Sequence, residues 1–506
     1  MQKEMKPRRG RDFTTGSIPG HLVAFATPML IGNLLQATYS TVDSIWVGRF
    51  IGPQALAAIS VNGPIIFSLI AMVSGLTMAT TTLVSQYWGA RQYDRASEAI
   101  ANSVTLLSLL GLALAAIGYN LRWPLLRLLR APHDIIEDAA AYLGVYTIGF
   151  LPMLVYNVTS SVLRGLGDSV SPMKFLGYAT VLNIVLDPLM IFGLGPIPAM
   201  GVAGTAWATV ISQAFSAILA LGHVVKRSGL VSELRQLIRF DWELTRLTVK
   251  IGLPAGAQQT LVSLGQMVIM STINKFGSIV VAGSAAGGRI EQYAFMPAMS
   301  LGLAVTALTG QNLGAGRSDR VSQIVKWSVL ISCSTSAVLT IVAQAIPGVL
   351  ISIFTKDSEV ITAGVTYLRW ISLGFVPFSA MFALNGVLRG AGDTLPSFFM
   401  TLASLWLVRI PLVTVLSKTS LGVRGVWMGT VTGPFVSMAL SYVYYRSGRW
   451  KTKAVVSGPG EEEDSPGLDA GGENDALNET EREVPILLNA EGSGSACDEE
   501  PSCESD

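Results

Sequence analysis

Twelve apolar stretches of bilayer-spanning length leave this 506-residue sequence few folds to choose from. They run over residues 22–47, 54–83, 98–120, 139–160, 173–194, 201–225, 247–274, 279–309, 322–346, 361–387, 395–416 and 423–445. Lipid offers the backbone no hydrogen-bond partner, so such runs predict helices that satisfy their amides internally. The expected fold class is an all-α polytopic membrane protein of twelve transmembrane helices. Composition agrees: 14% of the residues are charged, where a soluble protein carries about a quarter. An even number of spans returns both termini to one side.

The few charges are unevenly placed. Residues 457–506 hold 16 of the 34 acids, among Gly, Pro and Ser, and this composition predicts disorder. Within the tail, Glu483-Val-Pro-Ile-Leu487-Leu488 resembles an acidic dileucine sorting signal. Placing both termini in the cytoplasm puts 24 Lys and Arg on that side against 11 on the other, the bias expected of inside loops. A plasma (inner) membrane location is expected, with the first apolar run retained as a helix. No basic, aromatic-interleaved patch points to nucleic acid. The three Cys and three His are too scattered for a disulfide framework or a zinc site, and no cofactor is expected.

The chain repeats itself. Residues 149–168 read GFLPMLVYNVTSSVLRGLGD and residues 374–393 read GFVPFSAMFALNGVLRGAGD, an offset of 225. At the same offset QYWGARQYDR (86–95) aligns with QNLGAGRSDR (311–320), and near offset 226 Pro28 matches Pro254. Two homologous six-helix halves follow, in the same orientation because six is even. The expected organisation is a basic arm (1–17), an N-terminal lobe (18–225), a connector (226–246), a C-terminal lobe (247–446) and an acidic disordered tail (447–506). In the connector Leu230, Leu234, Leu237 and Ile238 form one stripe, suited to lying on the inner membrane surface. In RGLGD and RGAGD the glycines suit tight turns and the Asp suits capping the next helix.

Ionisable groups at bilayer depth are costly and tend to be functional. Asn33, Gln36, Ser40 and Asp43 recur at three- and four-residue steps on the first span, one polar stripe on an apolar helix. Tyr39 lies one turn before Asp43, and Pro28 about three turns before Tyr39, at a point where a bend is expected. On the fifth span Asn183 and Asp187 are four apart, and Pro188 predicts irregular backbone there. A buried carboxyl that ionises when wet and is neutral when closed off is what a proton carrier needs. The competing interpretation is that these polar groups only join helices. In the C-terminal half, Arg289, Glu291 and Arg409 are secondary candidates. Arg289 and Glu291 do not face each other on one helix, and Glu291 with Arg409 is the natural interhelical pair.

The duplicated chain, its opening PMLIGNLLQATYSTVDSIWVGRFIG and the paired RGLGD and RGAGD turns resemble the multidrug and toxic compound extrusion (MATE) transporters, and among them the DinF-type branch. The resemblance covers about residues 18–446. It implies a V-shaped pair of six-helix bundles around a cavity that opens to either side in turn, and export of cationic or amphipathic compounds against inward H⁺ or Na⁺. It also implies a cation site of Tyr39, Asp43, Asn183, Asp187 and Thr205, with Pro28 at the helix bend. Other branches place acids in the seventh and tenth spans. Here LPAGAQQTLVSLGQMVIM and GFVPFSAMFALNGVLRG have none, so coupling is expected in the N-terminal half, with Na⁺ as the alternative ion at Asp43 and Asp187.

The function expected is secondary active multidrug efflux by alternating access, with an organic cation or drug-like substrate, H⁺ or Na⁺, and the lipid bilayer as partners, and a single copy as the working unit. A lipid or glycan-lipid flippase of related architecture is the first alternative, and a membrane scaffold that recruits partners through the acidic tail the second. An enzyme is not expected: no nucleophile–base pair or metal pair is visible.

Overall fold

The computed structural model describes residues 11–193, 198–227 and 239–456. The connector stripe from Leu230 to Ile238 and residues 457–506 of the tail, with the dileucine motif, lie outside them, as do residues 1–10. Among the described residues all regular structure is helical.

In the N-terminal half the helices are α1 (Ile18–Trp46), α2 (Pro53–Gly89), α3 (Tyr93–Leu128), α4 (Ile136–Ile148), α5 (Phe150–Gly165), α6 (Val170–Phe192) and α7 (Gly201–Arg227). In the C-terminal half they are α8 (Trp242–Ile273), α9 (Ser278–Gly314), α10 (Ser318–Ala345), α11 (Pro347–Ser352), α12 (Ser358–Ile371), α13 (Phe375–Ala391), α14 (Leu395–Thr401), α15 (Ile410–Leu416) and α16 (Val423–Arg446). A π-helical stretch, Leu402–Arg409, joins α14 to α15. Among the described residues nine helical segments are long and apolar enough to cross a membrane, and α4 with α5, bent by 42°, makes a tenth. The more polar α8 and α16, at 32 and 24 residues, complete the twelve.

The irregular backbone expected at Pro188 is absent: α6 runs unbroken through it. α1 likewise continues past Pro28, and its own irregular turn comes at Val47–Ile51, a π-helical segment just beyond Asp43. A proline deletes one intrahelical bond, a local loss that a long helix packed among neighbours absorbs without breaking. The seventh span starts five residues earlier than expected, because the Asp241 carboxylate accepts the Leu244 amide at 3.1 Å and caps α8.

The repeat is written into the backbone. Gly52 and Gly277 have φ of 120° and 91°, and Gly167 and Gly392 have 84° and 83°, each pair 225 residues apart. Where the second half has Gly316 (φ 68°), the first has Arg91 (φ 58°). The turn aspartates differ. Asp168 accepts the Val170 and Ser171 amides at 3.0 and 2.9 Å and caps α6 as expected. Asp393 instead accepts the Tyr444 hydroxyl at 2.6 Å.

The lobes do not divide cleanly at the connector. Ile18, Leu22, Phe25 and Met29 of α1 share one apolar core with Leu301, Val305 and Leu308 of α9 and Leu384 of α13. Phe13 and Trp450, from the expected arm and tail, are buried in the same core. We call the side that carries these two residues the terminal face. α2 crosses α8 through glycines: a Cβ on Gly75 would fall 2.2 Å from the Gly252 carbonyl.

Candidate functional site

Asp43 of α1 and Asp187 of α6 face each other within hydrogen-bonding reach inside the N-terminal lobe. Asn183, one turn before Asp187, donates its amide to Asp187 Oδ1 at 3.4 Å. Asn183 and Asp187 are each 0% exposed. Asp43 Oδ1, Asp187 Oδ2, Asn183 Oδ1 and the Tyr39 hydroxyl are buried without a hydrogen-bond partner of normal geometry. Among the described residues no Lys, Arg or His forms an ion pair with either acid. Two carboxyl groups in contact, away from water and without a counter-cation, suit a shared proton or a bound cation rather than two bare charges.

Local sequence explains the convergence. The four-residue step from Tyr39 to Asp43, and from Asn183 to Asp187, puts each pair on one helix face. α6 and α7 can approach because Gly204 lies where a Cβ would stand 2.5 Å from the Met190 carbonyl. Thr205, next to it, is buried but donates its hydroxyl to the Val202 carbonyl at 2.8 Å. The α7 residue that neighbours Tyr39 is Thr209, one turn on.

The single stripe expected on α1 splits. Gln36 and Ser40 line a cavity of about 690 Å³ between the lobes, with Arg289 and Tyr293 of α9 opposite. Asn33 reaches across to donate to Ser300 Oγ at 3.0 Å. Asp43 and Tyr39 turn the other way, into the lobe. Three-residue steps advance 300° on a helix, so a stripe of mixed steps drifts around the axis. Two residues of the site went unnoticed in the sequence: on α4, Tyr142 is close to both acids and Tyr146 to Asp43, the two rings stacked at 5.8 Å between centroids. A four-residue pair of tyrosines on an apolar span was their only signal.

In the C-terminal lobe, Glu291 of α9 and Arg409 are neighbours but form no contact ion pair among the described residues. The direct partner of Glu291 is the Tyr367 hydroxyl of α12, which donates to it. Arg409 ends the π-helical stretch and packs against Gly433, where a Cβ would meet its Cδ at 2.8 Å. Arg289 lines the cavity between the lobes, apart from both groups.

The MatE family profile matches residues 28–189 and again 254–415, the second match beginning and ending 226 residues after the first. The chain is 36% identical over 447 residues to a probable multidrug resistance protein, YpnP, of Bacillus subtilis, covering 88% of this chain and 99% of that relative. It is 28% identical to the multidrug resistance protein PmpM of Pseudomonas aeruginosa, covering 81% and 88% of the two chains. A solved outward-facing conformation of a multidrug resistance MATE family transporter matches with a TM-score of 0.81 at 25% identity, over 88% of this chain and 99% of that one. The doubled profile, the relatives and the twelve-span, two-bundle fold agree: this chain belongs to the MatE family of multidrug efflux transporters, multi-pass integral membrane proteins and not enzymes.

Proposed function

We propose that this chain is a secondary active antiporter that exports organic cations or amphipathic compounds in exchange for H⁺, with Na⁺ as the alternative ion, through Asp43 and Asp187. The observation that carries this reading is the contact of these carboxyls inside the N-terminal lobe with no basic partner. Such a pair gains a proton or cation when closed off and releases it when one side wets it. A cationic cargo that is favoured by the same carboxylates competes with the ion, and reciprocal linkage then couples the two flows. Asn183 and Tyr39 frame the acids, and Thr205 stands on α7 one turn before Thr209, the neighbour of Tyr39; the DinF-type branch suggests Tyr39, Asp43, Asn183, Asp187 and Thr205 as one set. With both termini cytoplasmic, as the Lys and Arg bias favours, the apolar core that joins the lobes at the terminal face closes the cytoplasmic side. The flippase reading gains no support from relatives named as multidrug resistance proteins.

Everted vesicles carrying the full chain test this. A cationic dye should be moved under an imposed pH or Na⁺ gradient, and Asp43→Asn should lower that gradient-driven flux by roughly tenfold or more. Equal flux by parent and Asp43→Asn under both gradients would discard the antiporter reading.

A further inference from the structure

The C-terminal lobe encloses a cavity of about 370 Å³ between α8, α9, α13, the π-helical stretch and α16, within the usual range of small-ligand pockets. One wall is an aromatic ladder. Phe295 of α9 stacks on Phe378 of α13 at 3.6 Å between centroids, and Phe378 meets Phe382 at 4.6 Å. The Arg389 guanidinium lies 5.8 Å from the Phe382 ring. Phe378, Phe382 and Arg389 are four and then seven residues apart, so they line one face of α13.

Arg389 is an unusual cation. Among the described residues no carboxylate pairs with it and no residue accepts its hydrogen bonds, and its Nε is buried without a partner. Asn385, one turn before it and also on the cavity, has its oxygen taken twice. Ser397 and Ser441 hydroxyls donate to Asn385 Oδ1 at 3.4 and 3.3 Å. With Oδ1 placed on these two hydroxyls, Nδ2, which no hydrogen bond uses among the described residues, is a donor to the cavity. The acid on the cavity wall, Glu291, stands elsewhere. Gly390 abuts the Thr306 carbonyl of α9, and Glu291 lies fifteen residues before Thr306, about 22 Å along that helix at 1.5 Å per residue. One end of the cavity therefore offers a guanidinium fork and an amide with no acceptor among them, the donor set that suits a carboxylate, and planar rings lead up to it.

We propose that this cavity is a second ligand site, distinct from the acid pair of the N-terminal lobe, that binds an aromatic carboxylate with its charged group on Arg389 and Asn385 and its ring along Phe378 and Phe382. The site goes beyond cation export and does not rest on it, because the ligand is tested by binding alone.

The test is calorimetric titration of the purified full chain in phosphatidylcholine nanodiscs with 1-naphthoate, and with 1-naphthamide as its neutral isostere. Naphthoate should bind at least roughly tenfold more tightly, the difference that a charge-assisted hydrogen bond confers. In Arg389→Gln the preference should fall to within about twofold. Equal binding of the two ligands by the unsubstituted chain overturns the proposal whether or not the variant folds, as does a preference that survives Arg389→Gln. A third arm repeats the titration in nanodiscs that contain phosphatidylglycerol. Unchanged naphthoate binding is expected; its abolition would assign the guanidinium to a lipid headgroup and overturn the aromatic site.

Discussion

Tyr39, Tyr142 and Tyr146 surround the two acids with phenol groups rather than with cations. A lysine there would neutralise the pair permanently, whereas a hydroxyl supplies a dipole and is compatible with the ion exchange proposed for the pair. Deleting one neutral hydroxyl costs about 1 kcal/mol, roughly a fivefold change in an equilibrium. Tyr142→Phe should therefore shift the half-saturating ion concentration of dye transport about fivefold while leaving the maximal rate within about twofold. A loss as deep as that of Asp43→Asn would place the hydroxyl in the ion path itself. The acids were legible in the sequence because a charge on an apolar span has so few bland explanations. The tyrosines were not, because a tyrosine on such a span is as often at a helix contact or the lipid interface as at a site. The same limit hid Arg389. It stood in a duplicated turn motif, and its counterpart Arg164 does find a partner, donating to Ser161 Oγ at 2.6 Å.

At the scale of helices, the spans were legible to within eight residues at each end, the widest gap lying at the end of α3, because the bilayer sets their minimum length. Their crossings were not, since the repeat fixes which helices correspond but not where they touch. α2 shows the difference within one helix. At Gly75 a Cβ would fall 2.2 Å from the Gly252 carbonyl and 2.3 Å from the Gly256 amide nitrogen of α8, whereas at Gly63 nothing lies within 4 Å. Small residues let helix backbones approach in lipid, and backbone atoms have little room to yield. Gly75→Ala should destabilise by about 1–3 kcal/mol through overpacking. Gly222→Ala in α7, where nothing lies within 4 Å either and no proline follows, should stabilise by about 0.5–1 kcal/mol, because it removes backbone freedom from a helix interior without a clash. Thermal denaturation of the detergent-solubilised chain, followed by fluorescence-detected size-exclusion chromatography, checks both signs. A rise in midpoint for Gly75→Ala would contradict the close crossing.

Over the whole molecule, the duplication explains how the lobes are joined. Gln86 of α2 donates to the Gly390 carbonyl of α13 at 2.8 Å, and Gln311 of α9 donates to the Gly165 carbonyl of α5 at 2.9 Å. All four residues are related by the 225-residue offset, so one bond is made twice, each time across the lobes. The chain ends tie into the same groups: Phe13 N donates to Gln311 Oε1 at 3.1 Å, and Val455 N donates to Gln86 Oε1 at 2.7 Å. The repeat itself was plain in the sequence. These bonds were not, because their partners lie 146 to 369 residues apart and glutamine near a helix end has many uses. Losing one partner of a buried hydrogen bond costs about 1–3 kcal/mol, so removing both glutamines weakens closure at the terminal face by about 2–6 kcal/mol, enough to invert a two-state population. Asp94 and Asp319, both exposed and also 225 residues apart, sit on opposite lobes at that face. With spin labels on Asp94→Cys and Asp319→Cys in a background lacking the native cysteines, the Gln86→Leu, Gln311→Leu pair should add a longer component to the distance distribution. A distribution indistinguishable from that of the parent would mean that the glutamines do not hold the terminal face shut, and that closure rests on the glycine crossings and the shared apolar core.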